Sequence, residues 1–403
     1  MKEQLARQTE AARDLLCRMC VLRVGIDVKG LTFLRLYTDD VDKDNRFEIA
    51  ADLGQPAKFT EIEISETEAI LDRLVDSSLV QRRYDEKKCE LFYELHRVIV
   101  EFLQTEYQDE MPNLLKIVYK FYSSGKNVEN AKTLEDLRPV LEAQYFAFEL
   151  GEYSQAWSLL TSRLYKYLQV WGNWNLLKDL YEQILFKLNA EQHPHCLARI
   201  GVFYYQLGNW DIAERYLQNA VSKAQEQEDK HSIVLSLSWL GCIERDKGNW
   251  NTAKQMYQQC IELCQELGER SNMAQCLAML GGIESYHGNW DTAESLYQES
   301  LLIKKEVHDH YGIASITHIL GRNELGRGNL DAAEGLLKDA LTKMQILGMT
   351  WDIATANYSL ARLERQRGDT EVAQQHYNTA HQMYQQLRAA KDLEKIEQEW
   401  KSS

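Results

Sequence analysis

Through the second half of the chain, small and large apolar residues alternate on a helical spacing that itself repeats. Ala213, Ala253, Ala293, Ala333 and Ala373 are each followed four positions later by Leu217, Tyr257, Tyr297, Leu337 or Tyr377, and three further on by Ala220, Cys260, Ser300, Ala340 or Ala380. Steps of four and three place them on one helical face, small where two helices cross closely and large where a gap needs filling. Upstream, Leu240-Gly241, Leu280-Gly281, Leu320-Gly321 and Leu360-Ala361 mark a preceding helix with its own close-contact position. Between the two helices stands a polar phrase, Gly208-Asn209-Trp210. It returns as Gly248-Asn249-Trp250, Gly288-Asn289-Trp290, Gly328-Asn329-Leu330 and Gly368-Asp369-Thr370, 40 residues apart each time. The glycine turns the chain, and Asn or Asp suits the cap of the second helix. A fixed period of this length predicts a solenoid, whose units bury their apolar faces only by stacking on neighbours. Trp210, Trp250 and Trp290 then fill the space between adjacent units.

Residues 1–108 carry a different pattern. Leu5 to Val24 reads as one helix with Leu15, Leu16, Met19, Cys20 and Leu22 at apolar positions. Tyr37 to Arg46 is polar and rich in aspartate, the composition of a surface loop. Ser65-Glu66-Thr67-Glu68 has the form of a capping box opening a helix through Ile70, Leu71, Leu74 and Val75. Two extended runs, 79–84 and 90–95, flank the charged break Asp85-Glu86-Lys87-Lys88 and predict a hairpin, with a closing helix from His96 to Tyr107. Residues 109–193 read as a helical linker of degenerate repeats: Gly151-Glu152-Tyr153 copies the turn phrase loosely and Gly172-Asn173-Trp174 closely. The five-unit array spans 194–390, and 391–403 forms a capping helix that covers the last apolar face with Leu393, Ile396 and Trp400.

The repeat resembles the tetratricopeptide repeat, whose small and aromatic positions are matched by Gly241, Trp250, Ala253, Tyr257, Cys260 and their equivalents 40 residues on. That family's first-helix tyrosine is Glu244, Glu284, Glu324 or Glu364 here, and its closing proline is absent. The resemblance implies a mainly α fold, a right-handed α-α superhelix of 40-residue units. The segments 71–80 and 93–99 resemble the winged-helix segment of signal-transducing STAND ATPases with an NB-ARC or NACHT-type motor. This second resemblance implies a small winged-helix domain with a short β-hairpin ahead of the superhelix. In that family a histidine at the position of His96 touches the bound nucleotide, beside an aspartate that is Arg97 here. It also implies a motor domain supplied in trans or lying outside this sequence. Ser124-Gly125-Lys126-Asn127, the nearest approach to a phosphate-binding loop, lacks the first glycine and the hydroxyl residue.

Composition narrows the function further. A net charge of −15 over 403 residues argues against nucleic acid and anionic membranes as partners. The helix that would read DNA, Glu66 to Leu79, sets Arg73 against Glu66, Glu68, Asp72 and Asp76. No apolar run approaches the roughly 18 residues of a membrane span. The opening MKEQLARQTEAARD is too polar for a signal peptide, and both features point to the cytoplasm. The eight cysteines, Cys17 and Cys20 included, do not assemble four zinc ligands, and His193-Pro194-His195 and His308-Asp309-His310 fall near repeat turns. No nucleophile, base and orienting group recur in a recognisable arrangement, so neither cofactor nor catalysis is expected.

In a tetratricopeptide solenoid the first helix of each pair lines the concave surface. Projecting the repeat places Arg245, Tyr286, Arg322, Arg362 and Arg365 there, with His318 and Tyr358 near its edge. Arginines in an acidic protein suit an acidic peptide or a chain terminus through bidentate contacts. Alternatively they neutralise the adjacent Glu244, Glu284, Glu324 and Glu364. The function expected is a non-catalytic protein- or peptide-binding sensor of a STAND-type ATPase system, or a stand-alone scaffold that holds two proteins together.

Overall fold

In the computed structural model all residues are described except 38–57, 87, 124–130, 388 and 403. The polar loop expected after Tyr37 and the Ser124–Asn127 segment therefore lie outside the described residues. The chain divides into two units, Met1–Leu164 and Tyr165–Ser403.

The first unit begins with α1 (Lys2–Ala6) and α2 (Glu10–Met19) in place of the single helix expected over Leu5 to Val24. Thr9 breaks the run, because its hydroxyl accepts the Ala12 N–H and caps α2. β1 (Ile26–Asp27), α3 (Val28–Leu36) and α4 (Glu61–Asp76) follow. The capping box of α4 is built upstream of the expected one, by Thr60 and Glu63. Thr67 instead lies buried in the helix, hydrogen-bonded to Thr32 at 3.1 Å and accepting from Arg35 at 3.0 Å. β2 (Gln81–Asp85) and β3 (Glu90–Glu94) form the expected hairpin, pairing Gln81 with Glu94 and Asp85 with Glu90. β1 adds to the free edge of β3, so the antiparallel sheet runs β1-β3-β2. α5 (Arg97–Glu106), α6 (Met111–Ser123), α7 (Leu134–Glu149) and α8 (Tyr153–Leu159) complete the unit, whose core joins Leu15, Leu31, Leu71 and Leu103 to Val118 and Phe146.

The second unit opens on α9 (Tyr165–Val170) and α10 (Trp174–Leu185). Five helix pairs follow: α11 (His193–Gln206) with α12 (Trp210–Glu226), α13 (Lys230–Asp246) with α14 (Trp250–Leu267), α15 (Arg270–Tyr286) with α16 (Trp290–Glu306), α17 (His310–Arg327) with α18 (Leu330–Leu347), and α19 (Thr350–Arg367) with α20 (Thr370–Gln386). Consecutive pairs stack, as the 40-residue period requires, into a tetratricopeptide solenoid. Within a pair, a large side chain of the second helix fills a notch in the first. A Cβ on Gly241 would lie 2.6 Å from Cε1 of Tyr257, and one on Gly281 2.6 Å from Cε1 of Tyr297. Both rings are buried. In the last pair Ala361 replaces the glycine. Tyr377 is then only half-buried, and its ring stacks at 4.5 Å on Trp400 of α21 (Ala390–Ser402). Ile396 of that helix is buried among Ala354, Tyr358, Ala380 and Tyr384.

The turn phrase has a second function that its cap-like composition conceals. At Gly248, φ is +86, and the Asn249 N–H donates to the Glu244 carbonyl at 2.8 Å, closing the first helix. The side chains of Asn249, Asn289 and Asn329 make no cap to the second helix, contrary to expectation. They turn back and donate to Glu244, Glu284 and Glu324 at 2.7–2.8 Å. Only Asp369 caps, accepting the Val372 N–H. Trp250 and Trp290 fill the space between units, Trp250 stacking on Tyr286 at 4.4 Å and the Trp290 ring lying 2.7 Å from where a Cβ on Gly326 would be. Trp210 instead meets Lys391 near the end of the chain.

The two ends of the second unit meet. Lys391 of α21 donates to the Gly208 carbonyl, its ammonium 3.9 Å from the centre of the Trp210 ring. Val170 packs beside Met344 and Met349, and the Trp351 and Leu387 side chains lie against Gly172.

Candidate functional site on the concave face

Arg322 on α17 and Arg362 on α19 occupy equivalent positions in neighbouring units. Among the described residues neither makes a hydrogen bond or ion pair, and both are exposed to solvent. Arg322 is nonetheless closely surrounded by protein. That enclosure, followed by repulsion from Arg362, pushes its guanidinium below the ordinary range, with Arg245 adding to the repulsion and Tyr297 and Glu399 opposing it. Arg322 and Arg362 are thus a pair of like charges on successive first helices. One turn earlier, His318 is buried and holds Ser359 Oγ at 2.9 Å from Nε2. Burial and Arg322 drive its pKa down to about 3, so the ring is neutral in the fold.

The other candidates are engaged. Arg245 donates to Asp246 at 2.8 Å and to the Tyr205 hydroxyl at 3.2 Å. Tyr358 is buried and donates to Glu399 at 2.8 Å. Arg365 donates to the Trp400 carbonyl at 2.9 Å and lies 4.5 Å from the centre of that ring. Tyr286, 71% exposed, joins Trp250 and His287 instead of the arginines. That aromatic group borders an open hollow of about 590 Å³ lined by Trp250, Lys254, His287 and Asn289. In the first unit His96 is exposed at the N-cap of α5, its Nδ1 accepting the Val98 N–H, while Arg97 pairs with Glu101 at 2.8 Å.

The glutamates of the first helices find their cations elsewhere. Glu244 pairs with Lys247 at 3.5 Å, Glu284 with Lys254, Glu324 with Arg327 at 3.7 Å and Glu364 with Arg367 at 3.8 Å. Arg327 reaches Asp291 of the preceding unit at 2.7 Å, and Arg367 reaches Asp331 at 2.6 Å. This ladder was open to sequence reasoning, since Asp291 to Arg327 and Asp331 to Arg367 repeat one spacing 40 residues apart. Neutralisation of these glutamates therefore does not occupy Arg322 or Arg362. Among the described residues no group of three or more His, Cys, Asp or Glu could hold a metal ion, and no helix is long and apolar enough to cross a membrane.

Residues 195–266, 232–305 and 272–345 each match the tetratricopeptide repeat family model. A comparison with curated proteins by sequence gives no match. Among solved structures, aspartyl phosphate phosphatase F from Bacillus subtilis is similar with a TM-score of 0.53 at 12% identity, over 93% of this chain and 94% of its own. A signal transduction ATPase with numerous domains from Pyrococcus horikoshii, with a tetratricopeptide repeat sensor, gives a TM-score of 0.46 at 15% identity; 99% of this chain spans 64% of that one. The Rap conjugation gene regulator of the plasmid pLS20, in complex with the Phr* peptide, gives 0.46 at 14% identity over 91% of this chain and 97% of its own. At these identities the likeness is one of fold.

Proposed function

We propose that the chain is a non-catalytic sensor whose concave face binds a carboxylate-bearing segment of a protein or peptide through Arg322 and Arg362. The observation that carries this reading is a pair of guanidinium groups that, among the described residues, hold no carboxylate in a hydrogen bond or ion pair, in a chain of net charge −15. Keeping two like charges together costs free energy, which an anionic ligand offsets on binding. An arginine fork matches a carboxylate in two hydrogen bonds. Arg245 and Tyr358 are already bonded to Tyr205 and Glu399, which leaves Arg322 and Arg362 to take the ligand, and tetratricopeptide repeats supply a surface suited to an extended or helical segment.

The first unit is the transmitting part in this reading. Helices α2, α3 and α4 ahead of the hairpin, with β1 paired to β3, support a winged-helix assignment, and the residues of segments 71–80 and 93–99 support a place beside a STAND-type motor acting in trans or from outside this sequence. His96, exposed at the start of α5, is the residue offered to a motor's nucleotide. Such a system belongs in the cytoplasm. The test is fluorescence anisotropy with a labelled oligoglutamate peptide: binding that is lost in a folded Arg322→Gln/Arg362→Gln chain supports the reading, and equal binding by both chains refutes it.

A further inference from the structure

The C-terminal helix does more than cover an apolar end. Its middle is held by Ile396 in the cluster of Ala354, Tyr358, Ala380 and Tyr384, a cap's normal contact. Its last turn makes contacts that capping does not require. Glu399 accepts the Tyr358 hydroxyl at 2.8 Å and supplies the carboxylate charge that acts on Arg322, while Arg362 acts on the same tyrosine. Trp400 stacks on Tyr377 at 4.5 Å, lies under the Arg365 guanidinium and presents its carbonyl to Arg365. An anion beside an aromatic ring, set on arginines and tyrosines, has the chemistry of a ligand.

We infer that the last turn of α21 is a resident occupant of the concave site, and that the external ligand is an acidic helical segment carrying a Glu-aromatic pair like Glu399-Trp400, which displaces it. The inference rests on the binding role proposed for Arg322 and Arg362. Tyr377 ties the occupant to the repeat itself. Where Gly241 and Gly281 each face a buried tyrosine, Ala361 stands in the last pair, and the half-buried Tyr377 ring is the platform for Trp400. The other end of the same helix carries Lys391, which closes the unit on Gly208 and Trp210. Displacement of the last turn is therefore coupled through one short helix to the contact with Gly208 and Trp210.

A competition between copies of the helix tests this. The probe is a fluorescein-labelled peptide of residues 389–403, titrated by anisotropy into three full-length proteins: the intact chain, an Ile396→Ala/Trp400→Ala chain whose own helix is loosened, and that chain with Arg322→Gln/Arg362→Gln added. Circular dichroism confirms that each keeps its helical content. Expected is weak binding to the intact chain, binding about tenfold tighter to the loosened chain, since the site is then open in a larger fraction of molecules, and loss of that gain when the arginines are removed. Equal binding to the intact and loosened chains, abolished by the arginine substitutions, overturns self-occupation and leaves the arginine site standing. A gain that survives the arginine substitutions shows α21 to be a purely apolar cap and overturns the inference. No binding to any of the three refutes the inference and the binding role together.

Discussion

Gly241 and Tyr257 fit together as notch and knob: a Cβ on the glycine would lie 2.6 Å from the tyrosine ring, which is fully buried. Gly281 and Tyr297 repeat the relationship, and Ala361 with Tyr377 shows its failure within the same molecule. Gly241→Ala should therefore expel or strain Tyr257 at a cost of about 1–3 kcal/mol, against which the better helix propensity of alanine returns up to about 1 kcal/mol. Urea denaturation followed by circular dichroism should show a lower midpoint. Ala361→Gly should leave the fold intact but weaken the Trp400 stack, as Tyr377 moves inward.

Arg322→Gln separates a binding role from a structural one. Arg322 makes no hydrogen bond or ion pair among the described residues and is repelled by Arg362. Its removal relieves that repulsion but gives up the attraction to Glu399, so the stability of the unliganded chain should change by less than about 0.5 kcal/mol, and by less again as salt screens both. A structural arginine would instead cost about 1.5 kcal/mol or more on removal. Thermal melts at two salt concentrations read the difference.

Glu284 joins three parts of one turn, accepting from Asn289 at 2.7 Å and from Lys254 while ending its own helix. Those two partners hold its carboxyl below the usual range. Glu284→Ala leaves Asn289 and Lys254 partly exposed and free to find water, so the expected loss is only about 1 kcal/mol. A depressed carboxylate contributes stability above its unfolded pKa and loses it as pH falls through the folded value. The difference between wild type and Glu284→Ala should thus vanish in acid.

His318 and Asp352 set opposite pH dependences. The His318 pKa falls from 6.5 to about 3 in the fold, so its contribution is complete above pH 6.5 and is lost as pH falls through about 3. Burial raises Asp352 from 3.8 to about 6, so its contribution is complete below pH 3.8 and is lost as pH rises through about 6. His318→Gln should flatten the stability profile between pH 6.5 and 3. Asp352→Asn should stabilise the chain at pH 8, by about 1–2 kcal/mol, and change little at pH 4. Chemical denaturation across that pH range checks both.

The solenoid was legible because its period, small-residue notches and turn glycines are all set by contacts local in sequence. The hairpin was legible for the same reason. Two kinds of feature were hidden. Thr9 and Thr60 lie among residues of similar polarity, and only their hydrogen bonds mark them as the points where helices begin. Glu399 and Lys391 act on residues 41 and 183 positions away, and the sequence carries no periodic signal for a helix that occurs once. The repeat gave the positions of the arginines on the first helices. That Arg322 and Arg362 stay unpaired while Arg245 and Arg365 are engaged depends on neighbours that the projection does not supply.

The most direct test of the central claim is affinity capture from the source cell with the intact chain beside a folded Arg322→Glu/Arg362→Glu chain, followed by titration of the captured partner's acidic segment into both purified proteins. A partner whose segment binds the intact chain and loses at least about tenfold in affinity for the variant is the predicted result, equivalent to roughly 1.4 kcal/mol. A partner held equally by both chains would contradict it and place recognition away from the concave face.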